Sequence, residues 1–191
     1  MKKFEKNLLI VTFIITLLSI FNVLFTSQLA FILFALLSFT YMFFSFAIFN
    51  NIKFKGIFKS ESYNEVGKLR LVATVLLGLV IGPVLLGYLF FFLALKNMKN
   101  NWEVNIYTLI IISIFCFYKY NKTKSTFHLK ILKRTFLFSI IGIFYLFVPK
   151  YFMIDFKYRN HPTYLKALKQ SIENSNDEKM KQILNEENDK L

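Results

Sequence analysis

The chain has 191 residues, 55% of them hydrophobic and only 18% charged, with 25 Phe and a formal net charge of +13. Soluble domains keep charged residues near a quarter of their composition, and here the charges cluster between long apolar runs, which excludes an ordinary water-soluble globule. Several runs reach the roughly 17 to 25 residues that a helix needs to cross the hydrocarbon core. The expected fold is therefore all-α: a polytopic transmembrane helix bundle of about five spans over 1–154, with a charged, short helical tail over 155–191 outside the membrane.

The first run follows "MKKFEKN" and is longer than a usual signal h-region. No A-x-A-like cleavage site follows it, so it reads as a retained span over about 8–26. Thr12, Thr16, Ser19 and Asn22, continued by Thr26, recur at intervals of three and four. They share one helical stripe, read as a polar seam to a neighbouring helix, with a wet path as the alternative. The second span, about 29–49, follows after so short a connector that the two form a helical hairpin.

The next connector contains "IKFKGIFK". Lys53, Lys55 and Lys59 alternate with Phe54, Ile57 and Phe58, a pattern that suits contact with anionic lipid at a membrane surface. A solvated loop carrying topology charges is compatible with the same residues.

The third span, about 71–95, contains "VATVLLGLVIGPVLLGYLFFFLAL". Thr74, Gly78 and Gly82 stand four apart on one side, the small-xxx-small spacing that lets two helix backbones approach. Pro83 removes a backbone hydrogen bond and bends the helix, while Gly87 falls on nearly the opposite side. Two readings stand: close packing with a kink, or a broken helix of the kind transporters build around a substrate. The second architecture usually brings a matching interrupted helix elsewhere, and no other span pairs Gly with Pro near its centre.

The fourth run, about 104–118, is only some 15 residues long, short for a crossing. Its Cys116 reads as a buried, inert thiol. The fifth span is about 135–153. In the tail, Pro162 is placed to start a helix, with Tyr164, Leu165, Leu168 and Ile172 on one face.

Residues 1–154 hold 17 Lys/Arg and 4 Asp/Glu, the whole of the +13, and the tail is neutral with seven of each. Such a basic balance suits nucleic acid, but these cations occupy short connectors, where they set topology. The basic N-terminus and the connectors 50–70 and 119–134 fall on one side if five spans cross, which makes that side cytoplasmic.

No Asp, Glu, Lys, Arg or His lies in the middle of any predicted span, which weighs against proton-coupled transport. His128 and His161 lack the company a metal site needs, and no P-loop, G-x-S-x-G or H-E-x-x-H is present. No cofactor, metal or nucleic acid is expected, and no enzyme. The expected partners are the bilayer, anionic lipids, and other membrane subunits or a second copy of the chain.

The stretches "FFSFAIFNNIKFKGIFKSESYNEVGKLRL" and "YRNHPTYLKALK" resemble an uncharacterised group of small multi-pass membrane proteins of the Bacteroidota. The chain departs from that group at "KNMKNNWEVN", which lacks its aromatic–Pro–Gly turn. The resemblance implies a bacterial inner membrane and no particular activity. The expected role is a non-catalytic accessory or scaffolding component, with a small transporter or channel as the alternative.

Overall fold

The computed structural model describes residues 2–21, 25–64, 66–92, 99–149 and 151–173, and these are helical with no strand among them. Five long helices are α1 (Lys2–Ile20), α2 (Thr26–Asn50), α3 (Lys68–Phe92), α4 (Lys99–Thr123) and α5 (Thr126–Phe147); two shorter ones are α6 (Phe152–Lys157) and α7 (Pro162–Glu173). Three helical stretches are long and apolar enough to cross a membrane: Thr26–Asn50, Lys68–Phe91 and Glu103–Thr123. α1 and α5 carry several charges, Lys2, Lys3, Glu5 and Lys6 in one and Lys130, Lys133 and Arg134 in the other.

Helix boundaries differ from the sequence expectation where local chemistry intervenes. The described part of α1 stops at Ile20, and α2 starts at Thr26 after Phe25 in a left-handed conformation. α4 is 25 residues long, so the short fourth run was an underestimate. Its apolar core continues into Tyr118 and Tyr120, and the polar flanks on both sides stay helical. α5 begins at Thr126 and ends at Phe147. Val148 is extended, as a residue before proline prefers, and Pro149 then separates α5 from α6, which divides the predicted span 135–153.

Close packing of α2 on α3 organises the bundle. Gly78 and Gly82 both face α2. A Cβ at Gly78 would meet the Ser45 side chain and the Tyr41 carbonyl, and one at Gly82 would meet Met42 and, at 3.2 Å, the Ser38 carbonyl. α3 runs unbroken through Pro83, and the Ser38 hydroxyl donates to the Gly82 carbonyl at 2.8 Å. At the last residue of α2, Asn50 Nδ2 donates to Thr74 Oγ1 at 3.1 Å. Gly142 does similar work on α5, because a Cβ there would crowd Ile106 of α4 and the Tyr88 hydroxyl of α3. Tyr88 in turn donates to the Phe138 carbonyl at 2.5 Å.

Beyond α5 the chain returns to the far end of the bundle. Phe156 makes an edge contact with Phe21 at the end of α1, and Phe152 makes one with Phe144 of α5, both with ring centroids 6.4 Å apart. α7 starts at Pro162 and buries Tyr164, Ala167 and Ser171. Its Lys169 pairs with Asp155 of α6 at 2.5 Å. Burial, and then the neighbouring Tyr164, push the Tyr158 phenol up to about 12.

The two glycines of α3 differ in what a methyl group would strike. Gly78→Ala drives a Cβ into backbone, whereas Gly82→Ala meets chiefly the flexible Met42. Overpacking costs about 1–3 kcal/mol, against a helix-propensity gain of about 1 kcal/mol for Gly→Ala. Gly78→Ala is thus expected to lower the melting temperature in detergent, Gly82→Ala to change it little, and Gly82→Leu to lower it. Wild-type melting of both Gly78→Ala and Gly82→Leu would contradict the close α2–α3 contact.

Candidate functional site

The most concentrated chemistry in the bundle is a carboxylate, a guanidinium and a phenol taken from three helices. Glu5 of α1 is 2% exposed and Tyr41 of α2 is fully buried. Arg134 of α5 presents Nε to Glu5 Oε1 and Nη2 to Glu5 Oε2, each at 2.5 Å. The planar fork of arginine matches the two carboxylate oxygens, which makes this the strong, bidentate form of the pair. The Tyr41 hydroxyl adds a third donor to Oε1 at 2.5 Å, and Arg134 Nη1 reaches the Lys130 carbonyl at 3.3 Å.

Aromatic rings wall the cluster. The Arg134 guanidinium lies 5.3 Å from the Phe49 ring centroid, within cation–π range. Tyr41 meets Phe138 edge-on at 5.6 Å. Glu5 accepts three hydrogen bonds out of about four acceptor positions on a carboxylate, and all three nitrogens of Arg134 have acceptors. A group so fully engaged serves poorly as a general base, which needs a free lone pair within reach of a substrate proton. Its chemistry is that of a pin joining α1, α2 and α5.

The polar stripe on α1 is turned inward. Thr12, Thr16 and Ser19 are buried, but each hydroxyl donates to a carbonyl of α1 itself, of Leu8, Thr12 and Thr16 respectively, at 2.6–2.8 Å. Among the described residues the seam therefore carries no hydrogen bond across helices through these three. A short hydroxyl side chain finds its own preceding turn first. Asn22 lies outside the described residues. Cross-helix bonds run elsewhere: Ser38 and Asn50 join α2 to α3, Tyr88 joins α3 to α5, and Ser113 and Ser139 join α4 to α5 at 3.3 Å.

Of the kink residues, Thr74, Gly78, Gly82 and Gly87 are buried, and Pro83 is half-buried. Cys116 is a buried free thiol. Lys53, Lys55 and Lys59 are exposed and line one side of a cleft at the start of the α2–α3 connector. His128 sits near that end too. Burial first, then the charges of Lys119 and Arg70, hold its pKa below the usual histidine range.

The Glu5 cluster was missed by reading the sequence, although its signal was there. The stripe Thr12–Ser19 has a seven-residue spacing that extends backward to Glu5, and the buried face of α1 is Glu5, Leu8, Thr12, Thr16 and Ser19. Grouping Glu5 with the basic N-terminal segment hid it. No family model, curated protein or solved structure matches the chain.

Removing one member of a buried ion pair costs about 3–5 kcal/mol, while exchanging both for apolar residues of similar volume is near neutral. Glu5→Leu and Arg134→Met are each expected to destabilise by that amount, and the double variant to recover most of the loss. Tyr41→Phe is expected to cost about 1.5–3 kcal/mol, the range for a hydrogen bond to a charged group. Unfolding of the four purified proteins in one detergent measures the cycle, and additive losses in the double variant would refute the pairing.

Proposed function

We propose that this chain is a non-catalytic, multi-pass integral membrane protein that acts as an accessory or scaffolding component of a membrane assembly. The observation that carries this reading is the inward closure of its polar groups. Glu5 is fully engaged by Arg134 and Tyr41, and the small-residue face of α3 is filled by Tyr41, Met42 and Ser45 of α2. Neither device is left open to a substrate. Large apolar side chains meanwhile point outward, among them Phe13 of α1, Leu76 of α3 and Ile111, Ile114 and Phe117 of α4, as lipid contact requires.

Five crossings, rather than three, are supported by the placement of the charges in α1 and α5. They occupy residues 2–6 and 130–134, leaving 7–20 and 135–147 free of charge. The one acidic residue among them is neutralised by Arg134, which lowers the cost of seating those ends at a bilayer. The basic N-terminus and both long connectors lie together: Glu5 meets Arg134, and the Arg70 guanidinium stacks on Phe127 at 3.9 Å. By the excess of Lys and Arg in short segments this end is cytoplasmic. The start of the tail, where Phe156 packs beside Phe21, is then at the opposite face. The resemblance to Bacteroidota membrane proteins supports a bacterial inner membrane.

A second reading, a small transporter or channel, draws support from the same cluster, because ionisable groups inside a helix bundle commonly mark ion or proton paths. Here Glu5 lies near the start of α1, and Arg134, the ninth of the 22 residues of α5, spends its donors on Glu5 and on the Lys130 carbonyl of its own helix, which favours the structural role.

Affinity capture from native membranes separates the two. The scaffold reading expects another membrane protein to be retained, and to be lost when the chain is truncated after Asn160. Recovery of the chain alone, with an ion flux in liposomes that Glu5→Gln abolishes, would replace it with transport. Orientation has its own check. Single cysteines at Lys55 and Lys124, read against the buried Cys116, are expected to react with an impermeant reagent only from the cytoplasmic side.

A further inference from the structure

The α2–α3 connector is a built structure. Asn51 takes a left-handed conformation (φ 60°) that ends α2, and its amide returns to the Ala47 carbonyl. Two 3-10 turns follow, Phe54–Gly56 and Ser60–Tyr63. Ile52 and Ile57 are buried with Ala47, and Phe44, Phe46 and Tyr63 pack around them. The Tyr63 hydroxyl donates to the Ile57 carbonyl at 2.5 Å, and the Ser62 side chain occupies the space that a side chain on Gly56 would take.

This folding forms a cleft of about 810 Å³, with Lys53, Lys55, Lys59 and Arg70 in its wall and Glu61 the one carboxylate among the described residues that line it. Arg70 and Asn50 also line it, and their Nε and Oδ1 atoms are buried with no hydrogen-bond partner among the described residues. A buried donor or acceptor without a partner is costly, and here one of each belongs to residues that line the same cleft. Beside it the 3-10 turn presents Phe54 and Phe58, 62% and 95% exposed. Two phenylalanines displayed next to lysines at the end of an apolar bundle match an interfacial segment, apolar rings toward the acyl border and cations toward phosphates.

We propose that this cleft is a binding site for the headgroup of an anionic phospholipid that carries a hydroxyl as well as its phosphate. The phosphate sits among the lysines and takes the free Arg70 Nε–H, while a headgroup hydroxyl donates to Asn50 Oδ1. Phe54 and Phe58 flank the lipid's glycerol and upper acyl region. This deepens the membrane reading above and rests on it, since it requires the connector to lie at the bilayer surface. It goes beyond a diffuse attraction of lysines for anionic lipid, because Arg70 and Asn50 belong to helix ends and make the site selective.

The test uses the full chain in nanodiscs containing equal phosphatidylglycerol and phosphatidylcholine, with bound lipid counted by native mass spectrometry. The expected result is preferential retention of phosphatidylglycerol, lowered about fivefold by either Arg70→Gln or Lys59→Gln, the size expected for one basic contact. Lys59 is exposed, so its variant decides the matter should Arg70→Gln fail to fold. Equal retention of the two lipids, or retention that a folded variant leaves unchanged, overturns the site. Displacement by millimolar inorganic phosphate overturns the lipid as occupant in favour of a free anion. Failure of the membrane reading looks different: the chain would be folded and monomeric in buffer and would not enter nanodiscs at all.

Discussion

A charge withdrawn from water must bring its counter-charge with it, and that constraint shapes this bundle. Glu5 and Arg134 are separated by 129 residues of chain, yet the fold sets each against the other. Tyr41 supplies the remaining donor and Phe49 a polarisable face. The pair contributes less to net stability than to uniqueness of arrangement: rotating α1 or α5 by one residue would strand a charge in an apolar wall. We regard it as the feature that fixes the register of α1 against α5.

α2 is the element on which the others converge. Ser38, Tyr41 and Ser45 recur along it at three and four residues. Ser38 bonds to Gly82, Tyr41 reaches Glu5 and Ser45 fills the space beside Gly78. The same helical face therefore serves α1 and α3 together. Next to Pro83, the Ser38 hydroxyl ties the Gly82 carbonyl to α2, which holds this stretch of α3 against its neighbour.

Much of the fold was legible from hydropathy alone, because a helix that must satisfy its backbone internally shows itself as a long apolar run. The spacing of Thr74, Gly78 and Gly82 made a close helix approach legible, but not that α2 is the neighbour it meets. Helix ends were less so: α4 exceeds its most apolar stretch by several polar residues, and the stop at Val148 depends on the proline after it. The Glu5 cluster was hidden for a different reason. Its partners lie in three separate segments, and no local pattern announces that a glutamate among lysines pairs with an arginine on the last long helix. Nor does the sequence reveal that the α1 hydroxyls bond within their own helix, since that depends on which neighbour offers an acceptor in reach.

The long separation between Glu5 and Arg134 has a consequence for biogenesis. Synthesis proceeds at about 5–20 residues per second, so roughly 6 to 26 seconds pass between the emergence of the acid and that of its counter-ion. During that interval Tyr41 is the first of its final donors to arrive, and α1 and α2 wait as an unfinished hairpin. Maturation of the bundle is consequently a C-terminal event: the ribosome must deliver α5 before the amino terminus can settle.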